Sequence, residues 1–187
     1  MPRTKPMILE DLTIEHLDDF HRWISNKVSV QYSLSSFLPE RDIEWSRNYL
    51  KKTISNPSCW NQAISVDGVK IGYCGLCNMS ELNKNAEYFI LIGDDSYWGM
   101  GFGTSAGHAV LQYGFYNLKL NRIWLTVSET NNAAIRSYAK LGFFAEGRMR
   151  EACFRDNKYH DKIVMSVLKH EWHNKASSAN AKSRAAD

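Results

Sequence analysis

The sequence predicts an α/β (α+β) fold in which a mixed, mostly antiparallel sheet is flanked by helices. Three observations carry this. Apolar runs of strand length flank an Asp67-Gly68 pair in the first half of the chain. A glycine-rich turn, Trp98 to Thr104, opens a helical stripe in the second half. Strand-length runs then return and close the pattern. The 187 residues, 44% of them hydrophobic, suit one domain with a single large core.

The elements follow in order. Met7-Ile8-Leu9-Glu10 reads as a first strand. Thr13 is placed to cap a helix over residues 14–25, with Ile14, Leu17, Phe20 and Ile24 on one face. Residues 26–38 read as irregular, and a second helix is expected over residues 40–54, just after Pro39, with Ile43, Tyr49, Leu50 and Ile54 as its apolar contacts. Gln62–Val66 and Val69–Leu76 read as two strands joined at Asp67-Gly68, because a two-residue hairpin turn demands positive φ. Residues 78–85 read as a polar loop, and 87–92 as the next strand.

After residue 92 the pattern changes. The glycine-rich turn leads into a helix over residues 104–118, whose packed stripe is Gly107, Val110, Leu111, Gly114 and Leu118. Residues 122–127 are apolar on both faces, as a central strand would be. Asn131 or Asn132 caps a short helix that stops at Leu141-Gly142. Strands follow from Phe143 and over residues 162–168. The expected domain is thus 1–173, and the polar tail 174–187 is expected to be disordered.

Composition excludes several functions. The net charge of +3 is too balanced for a nucleic-acid groove or a polybasic membrane anchor. No apolar run approaches the ~20 residues of a membrane span, and the first residues lack the apolar stretch of a signal peptide. A cytoplasmic protein binding neither nucleic acid nor membrane is expected. Cys74-x-x-Cys77 lies in a strand-like run where residues three apart face opposite sides. His170 and His173 do not have metalloprotease spacing. No metal is expected.

The turn Trp98-Gly-Met-Gly-Phe-Gly-Thr104 carries the chemistry. A helix N-terminus presents unpaired N–H groups and a partial positive charge to an anion, and glycines admit the anion close to the backbone. No Lys follows Gly103, so a P-loop is excluded. Gly101-x-Gly103-x-x-Ala106, with Glu129 ending the next strand, matches a dinucleotide-binding variant, but antiparallel strands precede it instead of a repeated βαβ unit.

Gly99-x-Gly101-x-Gly103-Thr104, with Leu118-x-Leu120-x-Arg122-Ile123, resembles the central motif of the GNAT acetyltransferases. So does Asn131-x-x-Ala134-Ile135-Arg136-x-Tyr138-x-Lys140-Leu141-Gly142-Phe143. Glu146-Gly147-Arg148-x-Arg150-Glu151 and Phe154-Arg155-Asp156-x-x-Tyr159 resemble the branch of ribosomal-protein N-terminal and spermidine acetyltransferases. Trp98 stands where the family pattern has Gln or Arg.

The resemblance implies a GNAT-like sheet whose central strands splay, with acetyl-CoA as co-substrate. Its pantetheine arm would lie along Phe89, Ile90, Leu91 and Ile92. Its pyrophosphate would sit on the turn Trp98, Gly99, Met100, Gly101, Phe102, Gly103 and Thr104, and Asn131 would touch the arm. Tyr138 would be the general acid, and Glu87, at the start of that strand, would orient a water or take the amine proton. Transfer would be direct, without a covalent cysteine. A small-molecule amine, such as an amino sugar or another compact polar amine, is favoured over a protein N-terminus. Aromatic, hydroxyl and scattered acidic residues in segments 25–40, 78–87 and 150–160 are the reason. A non-catalytic acyl-CoA-binding module is the alternative from another class, and a homodimer is compatible with the reading.

Overall fold

The computed structural model describes residues 6–32, 42–155 and 157–172. Among the described residues the seven strands are β1 (Met7–Asp11), β2 (Trp60–Val66), β3 (Val69–Ser80), β4 (Asn85–Ile92), β5 (Arg122–Ser128), β6 (Phe144–Arg155) and β7 (Lys158–Leu168). They form one sheet in the order β1-β2-β3-β4-β5-β7-β6. All neighbours are antiparallel except β4 and β5, which run parallel. The helices are α1 (Leu17–Ser25), α2 (Lys27–Val30), α3 (Ile43–Ser55), α4 (Phe102–Tyr116) and α5 (Asn132–Leu141).

Two apolar layers cover the two faces. On one, Leu17, Phe20, Trp23 and Ile24 of α1 and Leu50 of α3 pack on Ala63, Tyr73 and Leu91. On the other, Ala106, Val110, Leu111 and Phe115 of α4 and Leu141 of α5 pack on Ile64, Ile71, Leu76, Tyr88, Ile123 and Leu125. Along β4 the side chains alternate between these layers: Ala86 and Tyr88 meet the α4 layer, and Leu91 and Phe89 meet the α1 layer.

Several elements differ from the sequence expectation. A 3₁₀ turn, Ile14–His16, precedes α1. It rotates Ile14 outward, to 38% exposure, and Trp23 takes its place in the core at 0%. Residues 26–38 are not wholly irregular: Asn26 caps α2 by accepting from the Val28 and Ser29 N–H groups. The second expected helix begins at Ile43 because the Asp42 carboxylate caps it, accepting from Trp45 N–H at 2.7 Å. This leaves Ile43 exposed. The polar segment 78–85 is loop only over residues 81–84, since β3 runs on to Ser80 through a bulge where Asn78 has φ +49° and β4 begins at Asn85. β7 begins at Lys158, four residues before the expected strand, and pairs with β6 as a long hairpin. Pro39 and Glu40, at the expected start of the second helix, His173, and the tail 174–187 lie outside the described residues.

Among the described residues no helix is long and apolar enough to cross a membrane. None holds three His, Cys, Asp or Glu side chains placed for a metal ion.

Gly107 fixes how closely α4 and α5 approach β4. A Cβ at this position would lie 2.4 Å from Leu141 Cδ1 and 3.0 Å from the Tyr88 hydroxyl. Overpacking a filled interior costs about 1–3 kcal/mol. Gly107→Ala is therefore expected to lower the unfolding free energy by an amount in that range, read as a lower urea midpoint with an unchanged denaturant slope. A variant as stable as the parent would show that the α4–α5 contact yields without cost.

Candidate active site

The parallel pairing of β4 with β5 covers three positions, Asn85–Arg122, Ala86–Ile123 and Glu87–Trp124. Beyond them the strands part. β4 stays paired to β3 as far as Ile92, and β5 stays paired to β7 as far as Ser128. The gap is a cleft of about 760 Å³. Its walls are β4 from Glu87 to Ile92, the end of β5, the turn before α4, and α5.

The phase of the β3–β4 ladder decides which backbone groups face the cleft. Gly93 N–H donates to Ile71 O at 2.8 Å, toward β3. Antiparallel residues alternate in direction, so Leu91 also turns to β3, whereas Ile90 and Ile92 turn toward the cleft. Trp98 agrees with this phase: its indole Nε1 donates to Ile92 O at 3.0 Å. The Ile90 and Ile92 N–H groups thus lie on an open sheet edge, ready to be paired as a strand would pair them.

The glycine turn holds the far wall. Gly101, at φ +87°, is the N-cap of α4, a left-handed conformation that a residue with a Cβ adopts only under strain. Helix α4 consequently starts at Phe102, two residues before the expected Thr104. Gly103 serves differently. A Cβ there would meet nothing nearer than Ile90 Cδ1 at 3.9 Å and Ile92 Cγ1 at 4.0 Å, so its missing side chain leaves room in the cleft itself. Trp98, Gly99, Gly101, Gly103 and Thr104 line the cleft. Met100 is 64% exposed and Phe102 packs on Tyr97, so neither side chain does, and any part they play is through the backbone.

Across the cleft, Asn131 caps α5, accepting from Ala134 N–H at 3.1 Å. This commits its side-chain oxygen to the helix and leaves only its amide nitrogen for a ligand. Thr104 and Ser137 share a hydroxyl–hydroxyl bond of 2.8 Å that ties α4 to α5. Arg136, Lys140 and Lys162 also line the cleft, against one carboxylate, Glu87. With the α4 N-terminus, they make the cavity a site for an anion. Sequence reasoning missed these three cations because α5 and β7 converge only in the fold.

Tyr138 reaches the cleft from α5, its ring edge-on to Tyr88 at 6.0 Å and 5.9 Å from Phe143. Burial around its hydroxyl pushes the phenol up to about 12. The buried Tyr88 hydroxyl finds no partner among the described residues. Glu87 is the third residue of β4, not its first, and is the last one paired with β5. Its carboxylate accepts from Asn78 Nδ2 at 2.7 Å. By the alternation of β4, Glu87 shares the Phe89 face, opposite to the Tyr88 face against which Tyr138 packs.

Of the residues expected on the acceptor side, Ser29, Tyr32 and Glu87 line the cleft. Ser29 is buried and donates to Gly93 O at 2.8 Å, which makes it a brace for the end of β4. Phe154 and Tyr159 meet across the β6–β7 hairpin with centroids 4.9 Å apart. Ser33, Ser35, Ser36, Phe37, Glu40 and Asp156 lie outside the described residues.

Comparison with known proteins gives the same architecture. The acetyltransferase (GNAT) domain family model matches residues 7–144. Spermidine N(1)-acetyltransferase of Escherichia coli (strain K12) is 31% identical over 172 residues, 92% of this chain and 91% of that one. YdaF of Bacillus subtilis (strain 168), whose name assigns it provisionally to ribosomal N-acetylation, is 25% identical over 167 residues, 88% and 86% of the two chains. Among solved structures, the Vibrio cholerae spermidine N-acetyltransferase in complex with CoA and spermine superimposes with a TM-score of 0.81 at 23% identity, covering 89% of this chain and 97% of that one. A sheet that opens beside a glycine-capped helix and a family match over most of its length lead to one assignment: the chain belongs to the GNAT acetyltransferases and is an N-acetyltransferase that uses acetyl-CoA.

Proposed function

We propose that the protein transfers an acetyl group directly to the primary amine of a small molecule, with polyamines the first class to test. The observation that carries this reading is the single cleft into which the open edge of β4, the α4 N-terminus and Tyr138 all face. The residues present fit the co-substrate. Backbone N–H groups of the turn and the cations Arg136, Lys140 and Lys162 suit the phosphates, and the Ile90 and Ile92 N–H groups suit an extended amide-bearing arm. Acetyl-CoA supplies the activated acetyl group as a thioester.

The chain's own groups divide the remaining work. Whichever cleft-facing N–H of β4 the arm leaves free offers a fixed donor to a carbonyl oxygen gaining charge. The Tyr138 hydroxyl keeps its proton at working pH and holds it for the departing sulfur. An alkylamine acceptor, protonated below pH ~10, must lose a proton before it attacks. Glu87, on the opposite face of β4, accepts that proton directly or through a water.

The acceptor class rests on less. Spermidine acetyltransferases among the relatives favour a small aliphatic amine, within which an amino sugar or another compact polar amine remains a competitor. Glu87 is the one carboxylate on the described cleft wall. The YdaF similarity is the specific observation for a protein N-terminus instead.

Gly103→Val is expected to leave the fold intact and to weaken acetyl-CoA binding by about 1–3 kcal/mol, the scale of forfeited polar contacts. Titration calorimetry on the folded variant checks this, and unchanged affinity would move the co-substrate away from the Ile90–Gly103 gap. Tyr138→Phe is expected to lower kcat by about 10²–10⁴-fold with co-substrate affinity nearly unchanged. Because burial raises this phenol to about 12, it remains protonated far above neutrality. The parent's kcat should therefore rise with pH as the amine deprotonates, without a Tyr138-dependent fall below pH ~11. An alkaline limb near pH 9 that disappears in Tyr138→Phe would contradict the assignment. In an acceptor competition among spermidine, amino sugars, aminoglycosides and peptides with free N-termini, a small amine is expected to have the highest kcat/KM. A peptide ahead by tenfold or more, about 1.4 kcal/mol, would replace this reading with N-terminal acetylation.

A further inference from the structure

A second cavity, of about 370 Å³, lies under α3 on the face of the sheet that carries Phe89. Tyr49, Lys52 and Thr53 of α3 line it, with Cys59 and Cys77 on the sheet side. Trp60 of β2 pairs with Leu76 of β3, and Cys59, the residue just before β2, falls opposite Cys77 when that register is continued by one position. The two thiols lie close enough for each to act on the other's ionisation. Both are partly exposed, whereas the other two cysteines, Cys74 and Cys153, are buried.

Facing residues of an antiparallel pair have Cα atoms about 4.5–5.5 Å apart. A disulfide spans about 4.4–6.8 Å. On the continued register the two Cα atoms fall within the range a disulfide spans. On the other side of β3, Cys77 pairs with Glu87 of β4, and the next residue, Asn78, holds the Glu87 carboxylate. Any rearrangement at Cys77 acts directly on that carboxylate.

We propose that Cys59 and Cys77 form a reversible thiol–disulfide site, closed by a hydroperoxide or a small-molecule disulfide, which shifts Glu87 from behind. Its link to turnover rests on the role assigned to Glu87 above; its covalent chemistry does not. With hydrogen peroxide, the sulfur of Cys59 attacks an oxygen, the O–O bond breaks, and a sulfenic acid and water result. The sulfur of Cys77 then displaces the second water, and its proton leaves with that water. Two S–H bonds are lost, one S–S bond forms, and the two electrons reduce the peroxide to two waters. With a small-molecule disulfide, two successive exchanges release two thiols. Burial raises both thiols, Cys77 to about 12 with Glu87 adding to the rise, so closure is slow and needs sustained oxidant.

The test uses the full chain, reduced and then exposed to hydrogen peroxide or oxidised glutathione. Intact mass should fall by two hydrogens, and a non-reducing peptide map should join the segments holding Cys59 and Cys77. Cys59→Ser should give neither and keep the reduced parent's activity. Closure should lower kcat by about tenfold, below the ~10²–10⁴-fold of a lost acid–base group, with acetyl-CoA affinity unchanged and activity restored by a thiol reductant. No linked peptide, or a link through Cys74 or Cys153, would overturn the site. A linked pair with unchanged kcat would overturn its effect on Glu87. Glu87→Gln separates the two ideas: it should still form the link but lose nothing further on oxidation. If Glu87→Gln alone turns over like the parent, the base assignment fails, and the thiol site stands or falls on the mass data.

Discussion

The whole site depends on one short ladder. Parallel pairing between β4 and β5 stops after Glu87 and Trp124, while each strand keeps its other neighbour along its length. Neither half of the sheet can follow the other without breaking a complete set of outer pairs, so the gap is held open from both sides. Helix α4 packs on the half that carries β3 and β4, and α5 follows β5 on the other. The cleft is the space left between two satisfied half-sheets.

That division also separates the two groups proposed to handle protons. Tyr138 packs on the Tyr88 face of β4 and Glu87 stands on the Phe89 face. A strand's thickness between them prevents a direct hydrogen bond in which the phenol would be spent on the carboxylate. Both line the opening where β5 has left, which is where a reacting group would meet them. Their surroundings differ accordingly: Tyr138 is enclosed by Tyr88 and Phe143, while Glu87 is held by a single amide from Asn78.

What could be read from the sequence was what is decided locally. The Asp67-Gly68 hairpin depends on two adjacent residues, found at φ +50° and +80°. The glycine turn depends on a helix start, and the choice between Asn131 and Asn132 narrows to Asn131 once the cap is seen. The family resemblance supplied the splay and the place of Tyr138, since Tyr138 by spacing alone reads as a core aromatic. What escaped were consequences of register and convergence. Ile14 lost its place to Trp23 because a 3₁₀ turn changed the rotation of α1. Asn78 was read as loop because nothing local marks the bulge that carries β3 to Ser80. Cys77 was weighed against Cys74, three residues away, while its neighbour is Cys59, eighteen positions back and across a strand pair.

An unpaired strand edge is ordinarily kept at the rim of a sheet and blunted against association. Here one runs through the middle of the molecule, from Tyr88 to Ile92. It is shielded on one side by the Trp98 indole and braced at its end by Ser29. Whatever pairs that edge in the folded state, and cannot do so in the unfolded chain, stabilises the protein by mass action, about 2.7 kcal/mol at a hundredfold excess over its dissociation constant. On the binding mode proposed above, acetyl-CoA would stand as an added strand of the sheet, and the stability of the folded chain would then follow the concentration of its own co-substrate.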